Sequence, residues 1–359
     1  MHNLPEKMTA VVNHGPGDFR IERLKTPTPS RNEIIISMEY CGICASDIKA
    51  YKGAERYWEG EDPFLKAPVI PGHEFVGKVV ALGENGAENF GVEKGDLVTV
   101  EPLDPCGNCL LCRRGKYWMC EEHNIYGFKG EIAEGGFAEY VKIRPNSKVH
   151  KISGDFPSNK MGALIEPFAN GLHAVKRANI EFDDFVVLAG AGSIGLSMVQ
   201  FINLKNPSCL AVLDIEERRL DLAQKMGADL TINPSEENAA EKIKGLTDGY
   251  GCDIYIEGTG SPEGVKMGLH MLRRAGTMVE FSVFSEKTEV DWSVVSVKKE
   301  LDIKGAHLTP YTYPPVIDLF KRRKISGSEI VTHVFPLEKF EEALNTASSQ
   351  NSIKVLLQS

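Results

Sequence analysis

At 359 residues, with 42% hydrophobic and 25% charged residues, the chain has ordinary globular composition, which excludes disorder and fibrous repeats and suits two domains. The 41 Lys and Arg against 50 Asp and Glu leave a net charge of −9. Such a surface is repelled by phosphate backbones and anionic lipids, so neither nucleic acid nor a membrane is an expected partner. Small molecules are the expected ligands.

In chain order, Met1 to Ala10 has no apolar core after a basic start, so no secretory signal is visible and a cytoplasmic location is expected. Short β-type runs then dominate up to about residue 165, among them Glu33 to Met38, Phe75 to Ala81 and Asp96 to Val100, separated by Gly, Pro and Asn turns. From about residue 184 the rhythm changes. Phe185-Val-Val-Leu-Ala189 is a continuous apolar run, as expected of a parallel strand buried on both faces. A glycine turn, an apolar helix, the strand Cys209 to Leu213 and a charged helix from Glu216 to Met226 follow. Asp253 to Ile256 and Thr277 to Phe281 repeat the scheme, with a helix starting near Pro262 between them. Alternating strand and helix predict a doubly wound α/β domain. Phe185 to Ile202 carries no charge and approaches membrane-span length, but glycines, serines and Gln200 interrupt it. A buried strand plus a buried helix explains the run better.

Gly190-Ala-Gly192-Ser193-Ile194-Gly195 sits between that strand and helix, and Asp214 stands nineteen residues after Gly195. The first glycine makes the turn, the second lets backbone approach a pyrophosphate, and the third permits close helix–strand packing. The helix N-terminus offers free N–H groups to phosphate, Ser193 and Ile194 among them. Asp214 can accept hydrogen bonds from a ribose diol and would repel a 2′-phosphate, which favours NAD over NADP. Gly258-Thr259-Gly260 ends another strand at the edge where ligands bind in such folds.

Four of the eight cysteines fall within fifteen residues: Cys106, Cys109, Cys112 and Cys120, spaced C-x2-C-x2-C-x7-C. Four thiolates at this spacing can close a tetrahedron around zinc and leave no open position, the mark of a structural site. An iron–sulfur cluster fits less well, because the bacterial pattern brings its fourth cysteine after three residues and follows it with proline. Cys44 and the His73-Glu74 pair are sparser. Taken alone, a lone cysteine reads as a small core hydrophobe and a lone histidine after glycine as a turn residue.

Together these segments resemble the zinc-dependent medium-chain alcohol and polyol dehydrogenases. Gly42-Ile-Cys-Ala-Ser-Asp47, Gly72-His-Glu74 with Gly77, the four-cysteine lobe and the glycine turn stand in that family's order and spacing. The resemblance implies a GroES-like, mostly β catalytic domain over residues 1–167 and 308–359, and a Rossmann domain over 168–307. It implies two zinc ions per subunit and NAD. The catalytic zinc would be held by Cys44, His73 and a carboxylate, either Glu74 or Glu166; the latter stands in Glu166-Pro-Phe, where ordinary alcohol dehydrogenases place a cysteine. Such an ion keeps one position open and lowers the pKa of the hydroxyl it binds. Ser46 occupies the family's position for the start of a proton relay, and Asp47 that of the carboxylate orienting His73. Lys49 replaces the histidine usual at the outer end of the relay, and either relays the proton or binds a substrate hydroxyl. Arg219 would lie beside the adenosine ribose and Lys354 on the pyrophosphate.

The carboxylate in place of the third cysteine resembles the sorbitol and threonine dehydrogenase branch. The segment from Glu166 to Ala174 looks most like bacterial dehydrogenases of four-carbon polyols such as erythritol and threitol. Arg56, Tyr57 and Trp58, in the insertion from Tyr51 to Asp62, are candidates to line a polar pocket. The expectation is therefore NAD-dependent oxidation of a secondary hydroxyl on a small polyol by a homotetramer or homodimer. A threonine or simple secondary-alcohol dehydrogenase is the alternative within enzymes. A non-catalytic redox or metal sensor is the alternative outside them, and a zinc-free quinone reductase of the same fold would lack both cysteine groups.

Overall fold

The computed structural model describes residues 4–61 and 63–359. It divides into two compact units, Met1–Glu166 with Thr309–Ser359, and Pro167–Leu308. The division falls inside the helix Ile165–Ala178, whose start the Pro167 ring tolerates because the first helical N–H groups have no intrahelical partner.

The first unit is built on a seven-stranded sheet. Its strands run in the order Val331–Pro336, Lys354–Gln358, Ile34–Gly42, Glu74–Leu82, Leu97–Val100 and Val149–Lys151, with Tyr140–Ile143 also paired to Ile34–Gly42. All pairs but Val331–Pro336 with Lys354–Gln358 are antiparallel. The predicted strand at Glu33 to Met38 extends to Gly42, because Tyr40, Cys41 and Gly42 continue the ladder past a bulge between Met38 and Tyr40. The Val, Ile and Phe side chains of these strands make one core, in which Ile34, Ile36, Phe75, Val79, Val98, Phe137 and Leu357 are buried. That core fixes the register. A slip of one residue would turn each apolar row to the wrong face.

The second unit carries six parallel strands in the order Leu230–Ile232, Cys209–Leu213, Phe185–Ala189, Cys252–Glu257, Leu272–Glu280 and Asp302–Gly305. In chain order this is 3-2-1-4-5-6, the doubly wound arrangement in which the sequence direction reverses beside the first strand. The alternating pattern anticipated this sheet. The uncharged stretch from Phe185 resolves into the strand Phe185–Ala189 and the helix Ser193–Asn203, whose side chains from Gly195 to Ile202 are buried. Among the described residues no helix is long and apolar enough to cross a membrane.

Candidate functional site

Three neighbouring strands of the first unit deliver the chemistry to one place. Leu356 pairs with Gly42, and Gly42 pairs with Glu74. Ile43 N–H continues the ladder to Val355 O at 2.9 Å, after which the chain turns into the short helix Ala45–Tyr51 with Cys44 as its N-cap. Residues remote in sequence thus meet at one sheet position. Gly42 is required there, since a Cβ on it would stand 2.0 Å from Glu74 Oε2.

Cys44, His73 and Glu74 each offer a ligand atom, and these atoms lie within 4.8 Å of one another. His73 and Glu74 are buried. Asp47 Oδ2 accepts the Cys44 N–H at 2.9 Å and closes the first turn of the helix. Its other oxygen is 3.9 Å from His73 Nδ1, an electrostatic approach rather than a hydrogen bond. His73 Nδ1 is in fact a buried atom with no hydrogen-bond partner, and so is Ser46 Oγ. Burial alone would lower the His73 pKa, yet Cys44, Asp47 and Glu166 carry it up to about 10. The pocket therefore demands a positive charge among a thiol, an imidazole and carboxylates. A divalent ion of borderline softness, with N, S and O donors, answers that demand.

Glu166 lies outside this ligand group. It is buried, and its charge acts on both His73 and Lys354. The family resemblance implies a place for Lys354 on a cofactor pyrophosphate. In the structure its ammonium is buried and paired 2.7 Å from both oxygens of Glu74, and it also donates to Ile43 O at 3.2 Å. The reason lies in the sheet: Lys354 opens the strand next to Gly42, whose missing Cβ leaves room for the Glu74 carboxylate beside that strand. Lys49 is half-buried on the helix carrying Ser46, and burial lowers its pKa against the opposing pull of Cys44.

An aromatic cluster abuts the ligand group. Phe128 lies 5.4 Å from the His73 ring, Tyr57 stacks on Phe128 at 6.0 Å, and Phe64 closes on Phe128 at 5.0 Å. The insertion had flagged Tyr57. Phe64 and Phe128 carry no signal in the sequence, because neither belongs to a polar or metal-type motif.

The four-cysteine lobe gathers Cys106, Cys109, Cys112 and Cys120 into a second donor group. Backbone N–H groups already point at the sulfurs: Cys106 N to Cys120 Sγ and Cys109 N to Cys106 Sγ at 3.3 Å, and Cys112 N to Cys109 Sγ at 3.4 Å. The N–H groups of Cys112 and Glu121 pull the Cys109 thiol down to about 6, whereas burial pushes Cys112 up to about 12. One thiolate forms readily; four together need a cation. The donor set fits a closed tetrahedral ion.

In the second unit, Gly190 N–H donates to Leu213 O at 2.7 Å, and Ala191 N–H to Asp214 Oδ2 at 2.7 Å. A Cβ at Gly195 would strike Gly190 O at 1.9 Å, whereas one at Gly192 meets nothing within 4 Å. The turn is tight on its inner side and open where a phosphate would approach. Asp214 also accepts Glu216 N–H at 3.0 Å, and Arg219 approaches its carboxylate at 3.9 Å. Glu257, fully buried and unmarked in the sequence, accepts Thr259 N–H at 2.8 Å and the Thr259 hydroxyl, fixing the loop Gly258–Thr259–Gly260.

Residues 30–154 match the alcohol dehydrogenase GroES-like domain, and residues 193–322 the zinc-binding dehydrogenase domain. The chain is 46% identical to the erythritol/L-threitol dehydrogenase of Mycolicibacterium smegmatis, with 99% of each chain covered. The chain belongs to the zinc-binding dehydrogenases. This dehydrogenase is also 32% identical to the sorbitol dehydrogenase of Halalkalibacterium halodurans over 98% of both chains. Among solved structures, a zinc-binding dehydrogenase of Sinorhizobium meliloti bound to NADP superimposes with a TM-score of 0.89 at 27% identity, covering 99% of this chain and 100% of the other. The dehydrogenase is accordingly an oxidoreductase with a GroES-like domain and a Rossmann-like parallel-sheet domain.

Proposed function

We propose that the chain oxidises a secondary hydroxyl of a small polyol, erythritol or threitol foremost, to the ketose with NAD. The observation that carries the chemistry is the meeting of Cys44, His73 and Glu74 beside a buried, unpartnered Ser46 hydroxyl. The substrate class is supported by full-length similarity to a dehydrogenase of those polyols. Residues 1–167 with 308–359 form the catalytic domain in this reading, and 168–307 the NAD-binding domain.

Cys44, His73 and Glu74 hold the catalytic zinc, and Cys106, Cys109, Cys112 and Cys120 the structural one. The catalytic ion supplies, when bound, a positive centre that acidifies the substrate hydroxyl. Ser46 receives the hydroxyl proton, and its lack of a protein partner leaves it free to do so. Lys49, whose pKa is lowered by burial, passes the proton outward. Asp47 and Lys354 hold Cys44 and Glu74 in place. Glu166 adds negative charge near the ligands without joining them. Gly190, Gly192, Ser193, Ile194 and Gly195 cradle the dinucleotide phosphates, and Thr259 lines the same edge. Asp214 binds the ribose diol, with Arg219 beside it. A carboxylate has about four lone-pair sites, so two N–H contacts leave Asp214 capacity for hydroxyls. Its charge also opposes a 2′-phosphate, which supports NAD although one relative binds NADP. The proposal extends to a cytoplasmic homodimer or homotetramer, as the family resemblance implies.

Initial rates with NAD and with NADP, over three- to six-carbon polyols, L-threonine and 2-butanol, test this reading. Four-carbon polyols with NAD should be fastest, and chelation should abolish the rate. L-Threonine as best substrate, or turnover indifferent to chelation, would overturn it.

A further inference from the structure

The donors of the loop Gly258–Thr259–Gly260 are all turned inward. Gly258 N–H donates to Ala189 O at 2.8 Å. Thr259 N–H and Gly260 N–H reach the Glu257 carboxylate at 2.8 and 3.2 Å, and the Thr259 hydroxyl gives its proton to the same oxygen. That hydroxyl in turn accepts Ser261 N–H at 3.1 Å. The fit is close. A Cβ on Gly264, in the first turn of the helix Pro262–Met271, would stand 2.6 Å from Thr259 Oγ1 and 2.7 Å from Glu257 Oε1. Glu257 is fully buried, and these partners are uncharged. A carboxylate held in the interior on neutral donors costs desolvation energy that an apolar side chain would not. What it secures is one loop conformation.

With its donors spent, the loop offers acceptors. Gly258 and Gly260 are half-buried and Thr259 is exposed, and among the described residues no backbone N–H takes their carbonyl oxygens. The Gly258 oxygen lies against the glycine turn, since a Cβ on Gly190 would meet it at 2.8 Å. The turn is the opposite kind of surface, ending in the first N–H groups of the helix Ser193–Asn203. Strand order then sorts a dinucleotide between them. Phe185–Ala189, which leads into the turn, has Cys209–Leu213 and Asp214 on one side and Cys252–Glu257 with this loop on the other. The crevice of such a sheet opens where the strand order reverses. With the pyrophosphate on the turn and the adenosine ribose on Asp214, the second ribose falls to the loop. Carbonyl oxygens suit its hydroxyls and would repel a phosphate.

We propose that Glu257 is a positioning residue for the dinucleotide: it draws the loop's donors inward and so fixes the carbonyl face that accepts hydroxyls of the nicotinamide-side ribose. Thr259 lines that edge with its backbone, while its side chain completes the clamp. The proposal rests on the NAD reading above, which uses the glycine turn and Asp214 and gives Glu257 no part.

Fluorescence titration of NADH and calorimetric titration of ADP, both into zinc-loaded protein, test this without turnover. Glu257→Gln removes the charge and adds an amide donor where the loop already supplies donors. The NADH Kd should rise about tenfold, the scale of one lost charge-assisted hydrogen bond. ADP, which lacks the second ribose, should bind within about twofold of wild type. Thr259→Val should reproduce the loss and Thr259→Ser should restore binding. Because both residues act through one clamp, the double variant Glu257→Gln with Thr259→Val should lose no more than the larger single loss. Gly264→Ala, a change that ordinarily favours a helix, should weaken NADH in the same way. Should Glu257→Gln fail to fold, Thr259→Val, altered at an exposed position, carries the same comparison. An unchanged NADH Kd whatever the melting temperature does, an equal loss for ADP, or losses that multiply in the double variant would each overturn the proposal. A wild type that binds neither nucleotide would instead overturn the NAD reading itself, and the proposal with it.

Discussion

The four-cysteine lobe carries its own scaffold, whereas Cys44, His73 and Glu74 borrow theirs from three strands. Within the lobe, the stabilising N–H groups come from the stretch between Cys106 and Glu121 itself. Its link to the rest of the unit is separate: Tyr117 donates to Glu101 Oε2 at 2.8 Å, and Tyr311 to Gly115 O at 2.7 Å. The trio has no such autonomy. Cys44 depends on Asp47, Glu74 on Lys354, and all of them on the register of Gly42 between its two neighbours. A local centre therefore fails locally, while the assembled centre is tied to the fold of the whole unit.

The largest expected effect breaks the two centres apart. Cys44→Ala should lower turnover by at least about 10³-fold, since several kcal/mol of charge stabilisation go with the ion. Bound zinc should fall from two equivalents to one, and the melting temperature should move by less than about 5 °C. Two equivalents retained in an inactive Cys44→Ala enzyme would show that the trio is not the metal centre.

The next effect concerns the scaffold of the trio. Lys354→Met leaves Glu74 buried without its cation, and removing one partner of a buried pair costs about 3–5 kcal/mol. Urea unfolding should show that loss, and adding Glu74→Gln should recover part of it. The pH dependence sharpens this. Burial alone would lower the Lys354 pKa, but Glu74, Cys44 and Glu166 raise it above 10.5. A raised base stabilises the fold fully below its unfolded pKa, so this contribution persists to about pH 10.5 and fades as pH rises through the higher folded value. Wild type should lose stability there more steeply than Lys354→Met. Equal slopes would contradict the pairing.

What the sequence disclosed follows the same division. The lobe and the glycine turn are contiguous, so spacing alone exposed their chemistry, and the apolar runs around Gly190 exposed the parallel sheet. Cys44 and His73 meant little until family resemblance joined them, because sheet register, not spacing, brings them together. Lys354 shows the limit. Its position suggested a cation for phosphate, and only strand adjacency reveals that Glu74 takes the ammonium. Phe128 was invisible for a similar reason: an aromatic residue becomes part of the site only through what it stacks on.

The smallest effect separates the centres by graded metal removal. At the trio, the three protein ligands leave one face open to water and to a chelator. At the lobe, four sulfurs enclose the ion and leave no position open. A chelator at pH 7 should therefore take one zinc equivalent together with all turnover, and barely move the melting temperature. The second equivalent should leave only as pH falls. Protonation of the thiolates should release lobe zinc in acid, lowering the melting temperature by a few degrees. Atomic emission on the dialysed protein, paired with calorimetric melting, reads both events. Loss of the lobe ion first, with activity intact, would reverse the ranking of the two centres and show that the shared sheet protects its metal better than four neighbouring thiolates do.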